Sequence, residues 1–398
     1  MTSTKGQDHA LTWAAFAATL LGFLTIWDAG YARAAANGQL LPREFLTQVV
    51  AAVVALVAAW FVMRVKGEKW KVYGPWVLIA AIVGLALVQV PGLGKSSGGA
   101  KLWLDLRVGT LQPSEFAKWG VILFLSAALA ARAPWQAPRI RNFGDRIDRE
   151  WIPRLGRGWP LLVVALVLIL IELGPDLATM AVVVVSTAVI LVAGKVNARS
   201  LMLLGTAAAL GVGVLMTTES YRMERITQHA GRWSEANRDS IGFQTTMAEI
   251  AFASGGLTGV GLGEGQAKHT LPAPTTDFVL ATVGEEFGFL GSLVVIGLLG
   301  FITYRLMARG AVSRDLFTRM VLMGTGAWVG IQSAVNIMMT NGFLPPIGIP
   351  LPFFSYGGSS LIAMWMALAC CQSLMAAERA EEPEQPAPTS WRNRAYAR

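Results

Sequence analysis

Ten apolar stretches, each close to the length of a membrane-crossing helix, limit what this chain can fold into. A helix needs about 17 to 25 mostly apolar residues to cross a hydrocarbon layer ~30 Å thick. The stretches run roughly 11–27, 45–63, 73–90, 113–131, 159–173, 177–194, 199–217, 283–304, 320–339 and 359–376. Only the turn around Gly174, Pro175 and Asp176 separates the fifth from the sixth. Hydrocarbon offers no partner to an open backbone amide, so such runs predict helices rather than open sheet. The expected fold is all-α: a polytopic integral membrane protein with about ten transmembrane helices.

Charge orients it. With the amino terminus inside, Arg64, Lys66, Lys69, Lys71, the arginine-rich segment 132–158, Lys195, Arg199, Arg305, Arg309, Arg314 and Arg319 all face inward. Most of the 33 lysines and arginines are then on the inner side, as the positive-inside rule requires. An even number of crossings returns the chain to that side, so both termini are expected to be cytoplasmic. Hydrophobic residues make up 54% of the chain and charged residues 15%. The net charge of +8 suits loops lying beside anionic lipid and calls for no nucleic-acid partner. Residues 1–10 hold a single lysine and no small-residue cleavage pattern, so the first run reads as a retained helix. Cys370 and Cys371 are adjacent and imply neither a disulfide framework nor a metal site.

Residues 1–376 read as one transmembrane domain and 377–398, rich in Pro, Glu and Ala, as a disordered cytoplasmic tail. Segment 132–158 suits an amphipathic stretch on the inner headgroups. One large outer loop, 218–282, joins helices seven and eight. Phe243, Met247, Ile250 and Ala251 would form one face of a short helix within it. The glycine run 254–265 brings the chain close to something bulky. Its GVGLGEG follows no strand of a βαβ unit, and the GKS at 94–96 lacks a Walker glycine, because position 89 is Gln89. Neither is a nucleotide site.

Three polar motifs, LQPSEFAK (111–118), LPAPTTDF (271–278) and IGIPLPFFSYGGSS (347–360), fall on the outer side. Asp277 fits helix capping, with Thr282 and Glu285 at capping-box spacing. It equally fits a carboxylate that Pro272 and Pro274 hold at the membrane surface, where it takes a proton from a sugar hydroxyl. Glu115 and Lys118 share a helix face and can pair. They suit a first-turn acid with a snorkelling lysine, or a pair inside the bundle that orients a diphosphate. Asp176 reads as a cap for the sixth helix. Ser355, Tyr356 and Ser359 suit either a sugar or diphosphate contact or an N-cap for the last helix. The histidines at 9, 229 and 269 share no metal-ligand spacing.

Taken in order, QPSEFAK, YRMERI, GFQ, SGG, GVGLGEG, LP..TDF, EEFG, Asn336 and then LPP.GIPLPFFSYGGSS resemble the SEDS family of bacterial cell-wall proteins over about residues 11–376. The resemblance implies a peptidoglycan glycosyltransferase of the bacterial cytoplasmic membrane that polymerises lipid II on its outer face. It implies a class B penicillin-binding protein as transpeptidase partner. Asp277 matches the family's essential aspartate, and Glu115 and Lys118 match the charged pair of its QPSE motif. Ser355 and Tyr356 are the further candidates for substrate binding. Arg222, Arg225 and Arg232, or a divalent cation such as magnesium or manganese, would help Lys118 neutralise the leaving diphosphate. The chain departs from the family at Ala273 and Thr275 ahead of TDF, at Leu102 before Trp103, and in the turn GPDLAT. A flippase for lipid-linked sugar and a non-catalytic scaffold are the competing classes. GIPLP leans toward elongation members, YRMERI and GVGLGEG toward division members.

Overall fold

The computed structural model describes residues 6–97, 100–107, 109–132, 158–218, 220–238 and 242–381. All ten apolar runs are helical there: α1 (His9–Ala36), α2 (Arg43–Arg64), α3 (Trp70–Gln89), α4 (Pro113–Ala130), α5 (Trp159–Glu172), α6 (Leu177–Ala193), α7 (Ala198–Thr218), then α13 (Gly288–Val312), α14 (Leu316–Thr340) and α15 (Gly358–Ala380). Seven of them are long and apolar enough to cross a membrane. α5 and α6 have only 14 and 17 residues, and α4 carries two charges in its first turns.

Between α7 and α13 lie α8 (Ser220–Ala230), α9 (Glu235–Arg238), α10 (Phe243–Gly255), α11 (Ala267–Thr270) and α12 (Val279–Glu286). Between α3 and α4 a small antiparallel sheet forms, in the order β1 (Gly94–Ser97), β2 (Ala100–Asp105), β3 (Thr110–Leu111). This corrects the all-α expectation. The link between the two helices is polar and lies outside the apolar runs, so it satisfies its backbone groups by pairing with itself.

α4, α14 and α15 form the centre of the bundle, with α2 and α6 packed on them. α3 meets α4 closely because both present glycine at the contact. A Cβ on Gly120 would come within 2.9 Å of the Leu78 backbone, and one on Gly84 within 2.9 Å of Pro113. Small residues at such crossings let backbones approach and gain dispersion contacts. α7 lies at the edge of the bundle, against α6 and α8, with none of its described side chains buried.

The described chain ends meet at one end of the bundle. Asp8 N–H donates to Gln372 Oε1, and Gln372 Nε2 donates to the Asp8 carbonyl, both at 2.8 Å. Arg305 and Arg309 close on Asp8 at 2.6 and 2.8 Å. The three polar motifs are at the opposite end.

Three expectations are corrected. The eighth apolar run is broken: α12 stops at Glu286 and α13 starts at Gly288, whose φ is +67°. The glycine run explains the break, since Val260 and Gly261 donate to the carbonyls of Glu285 and Glu286 at 3.0 Å and so cap α12. The bulky neighbour of that run is therefore the end of α12, where a Cβ on Gly259 would strike the Glu286 carbonyl. Of the expected face of α10, Ala251 is buried and Met247 packs partly buried beside it, but Ile250 is exposed and Thr245, Thr246 and Ala248 are buried instead. α15 runs to Ala380, four residues past the expected start of the tail. Residues 382–398, and 133–157 of the arginine-rich stretch, lie outside the described residues.

Candidate functional site

The loop before α12 carries Asp277, and its shape is set by the loop before α15. Tyr356 N–H donates to the Thr275 carbonyl at 2.8 Å, and Ser355 Oγ donates to the Thr276 carbonyl at 2.5 Å. Asn336 of α14 reaches across both, donating through Nδ2 to the carbonyls of Asp277 (2.9 Å) and Ile349 (2.7 Å). Gln48 of α2 holds the far side, donating to the Ser355 carbonyl and accepting from Gly357 N–H, both at 3.1 Å. Gly22 of α1 makes room for this, since a Cβ there would come within 2.7 Å of the Phe354 carbonyl. Three hydrogen bonds thus reach residues 275–277, which prolines 272 and 274 already stiffen, and three more hold the loop that delivers two of them.

Asp277 does not cap α12. The N-cap residue is Phe278, with no side-chain cap, and among the described residues no hydrogen bond or ion pair reaches the Asp277 carboxylate. It is half-buried, and a Cβ on Gly348 would stand 3.7 Å from its Oδ2. Burial, then the nearby charge of Asp176, pushes its pKa up to about 6. The capping box is absent too, because Thr282 Oγ1 is buried without a partner and Glu285 Oε2 accepts from Ala267 N–H instead.

Glu115 and Lys118 do pair, Nζ to Oε1 at 2.7 Å, with side chains 2% and 1% exposed. The snorkelling reading fails, because the lysine turns into the bundle. Its ammonium also donates to Gln332 Oε1 at 2.8 Å and lies 5.1 Å from the centre of the Trp328 ring. Glu115 keeps one buried oxygen, Oε2, without a partner. Asp176 caps α6 as expected, accepting from Thr179 N–H at 2.9 Å and Thr179 Oγ1 at 2.7 Å. It also feels the charges of Lys118 and Glu115 as well as that of Asp277. One acidic cap thus stands between the two motifs, which its position in a tight turn did not reveal.

Ser355 is corrected from a substrate contact to a structural one. Its hydroxyl accepts from Leu351 N–H at 2.8 Å while donating to Thr276, so both roles are taken inside the loop. Ser359 likewise accepts from Gln112 N–H at 2.9 Å. Tyr356 is half-buried and offers only its backbone to this network. Two of the loop arginines are engaged elsewhere, Arg222 with Glu172 at 2.5 Å and Arg232 with Glu249 at 2.6 Å. Arg225 reaches the Pro346 carbonyl at 3.4 Å.

The sequence reading missed Gln332 entirely, and also a buried triad beside the site. Lys268 of α11, 4% exposed, meets both oxygens of Asp28 at 3.0 Å and Glu286 Oε1 at 2.6 Å. Asp28 lies inside α1, one residue past the first apolar run, where a charge on a membrane-length helix is costly. Among the described residues no three side chains of metal-ligating type gather closely enough to hold an ion, so the donor set does not fit a protein-held metal.

The cell cycle protein family model covering FtsW, RodA and SpoVE matches residues 9–380. A probable peptidoglycan glycosyltransferase FtsW of Dichelobacter nodosus is 37% identical over 308 residues, 76% of this chain and 74% of that protein. Stage V sporulation protein E of Bacillus subtilis is 31% identical over 81% of this chain and 84% of its own. Among solved structures, a chain from work on the coordination of polymerization and crosslinking by a peptidoglycan synthase complex superposes with a TM-score of 0.74 at 28% identity, covering 94% of this chain and 99% of that one. The rod shape determining protein RodA of Thermus thermophilus gives 0.65 at 26% identity, over 95% and 98%. With the fold, the motifs and a match over nearly the whole length in agreement, the chain belongs to the FtsW, RodA and SpoVE family of cell cycle proteins.

Proposed function

We propose that this chain is the peptidoglycan glycosyltransferase of its membrane, joining lipid II units into glycan strands with Asp277 as general base. One observation carries the assignment of the base. Asp277 is a half-buried carboxylate without a hydrogen-bond partner among the described residues, on a loop that three hydrogen bonds from α14 and the loop before α15 hold still. A carboxylate serving only the fold would be capped or paired.

The glucosaminyl 4-hydroxyl of one lipid II gives its proton to Asp277 and attacks the anomeric carbon of the muramyl sugar on the growing chain. Its oxygen forms the new glycosidic bond as the bond to the diphosphate breaks, with inversion at carbon. The leaving undecaprenyl diphosphate takes the electron pair, and Lys118 is the cation beside the site that offsets its charge. Glu115 orients that lysine. Tyr356 remains a candidate sugar contact; Ser355 acts through the loop. No step is assigned to a metal.

The protein is a multi-pass protein of the bacterial cytoplasmic membrane, as its family is. We take the chain to cross ten times, with both chain ends and Arg305 and Arg309 on the inner side in line with the positive-inside rule, and on that count Asp277 lies on the outer face. The large loop and the helices that follow it are where a class B penicillin-binding protein would dock. Two competing classes predict a different product. A flippase moves lipid II without making a bond, and a scaffold does neither. Purified protein given lipid II should yield glycan polymer; recovered, unjoined lipid II would sink the enzyme reading.

A pH profile tests the base. Asp277 must be ionised to accept a proton, and burial with Asp176 holds its pKa at about 6. Turnover should therefore fall as pH drops through about 6 and level off above it. In Asp176→Asn, with the neighbouring charge gone, the same limb should move to lower pH. A wild-type rate that stays flat down to pH 5 would rule Asp277 out as the base.

A further inference from the structure

Two side chains of α14, Gln332 and Asn336, are one turn apart and both fully buried. Each reaches the loop before α15. Gln332 Nε2 donates to the Pro350 carbonyl at 2.9 Å, and Asn336 Nδ2 donates to the Ile349 carbonyl at 2.7 Å. Their other contacts lead in different directions. Asn336 holds the backbone of Asp277, whereas Gln332 Oε1 accepts from Lys118 Nζ and from Trp328 Nε1, both at 2.8 Å. Consecutive rungs of one rigid helix therefore hold the lysine of the first motif and the aspartate of the second, with the third motif strapped across them.

We infer that Gln332 is a positioning residue for the transferase reaction: its amide orients the Lys118 ammonium and ties it, through the Pro350 strap, to the frame that holds Asp277. The inference deepens the functional reading above and rests on it.

The chemistry of the amide makes this specific. Lys118 has three N–H donors and, among the described residues, only Glu115 and Gln332 as acceptors, so its third proton is the one left for a ligand anion. Gln332 Oε1 fixes the direction of that third proton by taking the second. The oxygen is itself turned the right way because Nε2 is anchored on Pro350 and Trp328 donates to the same oxygen. An apolar side chain of the same length would keep the packing and lose all three bonds. Lys118 would then pivot about its single bond to Glu115. A misplacement of about 1 Å at a catalytic group costs on the order of 10²-fold in rate.

The test compares wild-type, Gln332→Met and Gln332→Glu proteins purified in detergent, each with its thermal midpoint measured, in lipid II polymerisation. Gln332→Met should lower kcat on the order of 10²-fold with KM within about threefold, because the residue touches no substrate. Gln332→Glu keeps the acceptor for Lys118 and Trp328 but sets an oxygen against the Pro350 carbonyl, so its kcat should fall between the other two. It is isosteric with glutamine and carries the test alone if the methionine variant does not fold. A wild-type kcat in either folded variant overturns the inference, as does a KM that rises as far as kcat falls. An inactive wild type would overturn the functional reading and this inference together, whereas an active wild type beside an unimpaired variant overturns the inference alone.

Discussion

Asparagine at position 277 should abolish glycan synthesis while leaving the protein folded. General-base assistance contributes typically 10²–10⁴-fold, so Asp277→Asn should lose at least the lower figure. The variant separates catalysis from folding because the native carboxylate gives the fold little. It makes no hydrogen bond among the described residues, and its backbone contact to Asn336 survives the change. The sign of the stability effect follows from the titration. The folded pKa of about 6 lies above the ordinary carboxylate value of 3.8, so the folded state binds the proton more tightly than the unfolded chain. Stability therefore falls as pH rises from about 4 to 6 and stays lower above that. An amide that carries no charge escapes this loss. At pH 7 the thermal midpoint of Asp277→Asn should equal or exceed that of the wild type, with activity gone. Residual turnover above one tenth of wild type, or a midpoint several degrees lower, would contradict the assignment.

The second large effect is on stability. Lys268→Met should destabilise the protein by about 3–5 kcal/mol, the usual cost of removing one partner from a buried ion pair. Among the described residues Lys268 is the single cation within bonding distance of two buried carboxylates, Asp28 of α1 and Glu286 at the end of α12. Burial alone would lower the lysine pKa, but the bonds to Glu286 and Asp28 raise it, so the ammonium stays charged. With methionine there, two like charges would face each other without a partner. The same bonds tie α11, three residues before Pro274, to the first helix, so the Asp277 loop should loosen with them. The direct readout is the thermal midpoint in detergent, and neutralising both acids supplies the rescue. Lys268→Met with Asp28→Asn and Glu286→Gln should recover most of the loss. A single mutant as stable as wild type would show that the triad contributes nothing to the fold.

The helices were legible because lipid imposes a length and a composition on any segment that crosses it, and all ten apolar runs are helical, seven of them on helices long and apolar enough to cross. The chemistry was partly legible for the same reason. Glu115 and Lys118 stand out since a charge is costly in an apolar run, and Asp277 since two prolines precede it. Sequence could not choose between cap and catalyst at Asp277, because a carboxylate before a helix looks the same in both. Tertiary structure removed the cap: Phe278 takes the N-cap position, and among the described residues the Asp277 carboxylate has no partner. Gln332 carries no charge and disrupts no helix, so nothing local separates it from other polar residues on α14. Its role exists only because α4 brings Lys118 to it and the 347–357 loop brings the Pro350 carbonyl. The break at Gly288 and the caps on α12 likewise depend on a glycine run some 25 residues upstream. Sequence alone determined which segments are apolar helices suited to a membrane, since hydrophobic transfer is a property of each segment by itself. Which polar groups meet at its rim was decided only by packing, since a hydrogen bond or an ion pair needs two partners, and the chain supplies them hundreds of residues apart.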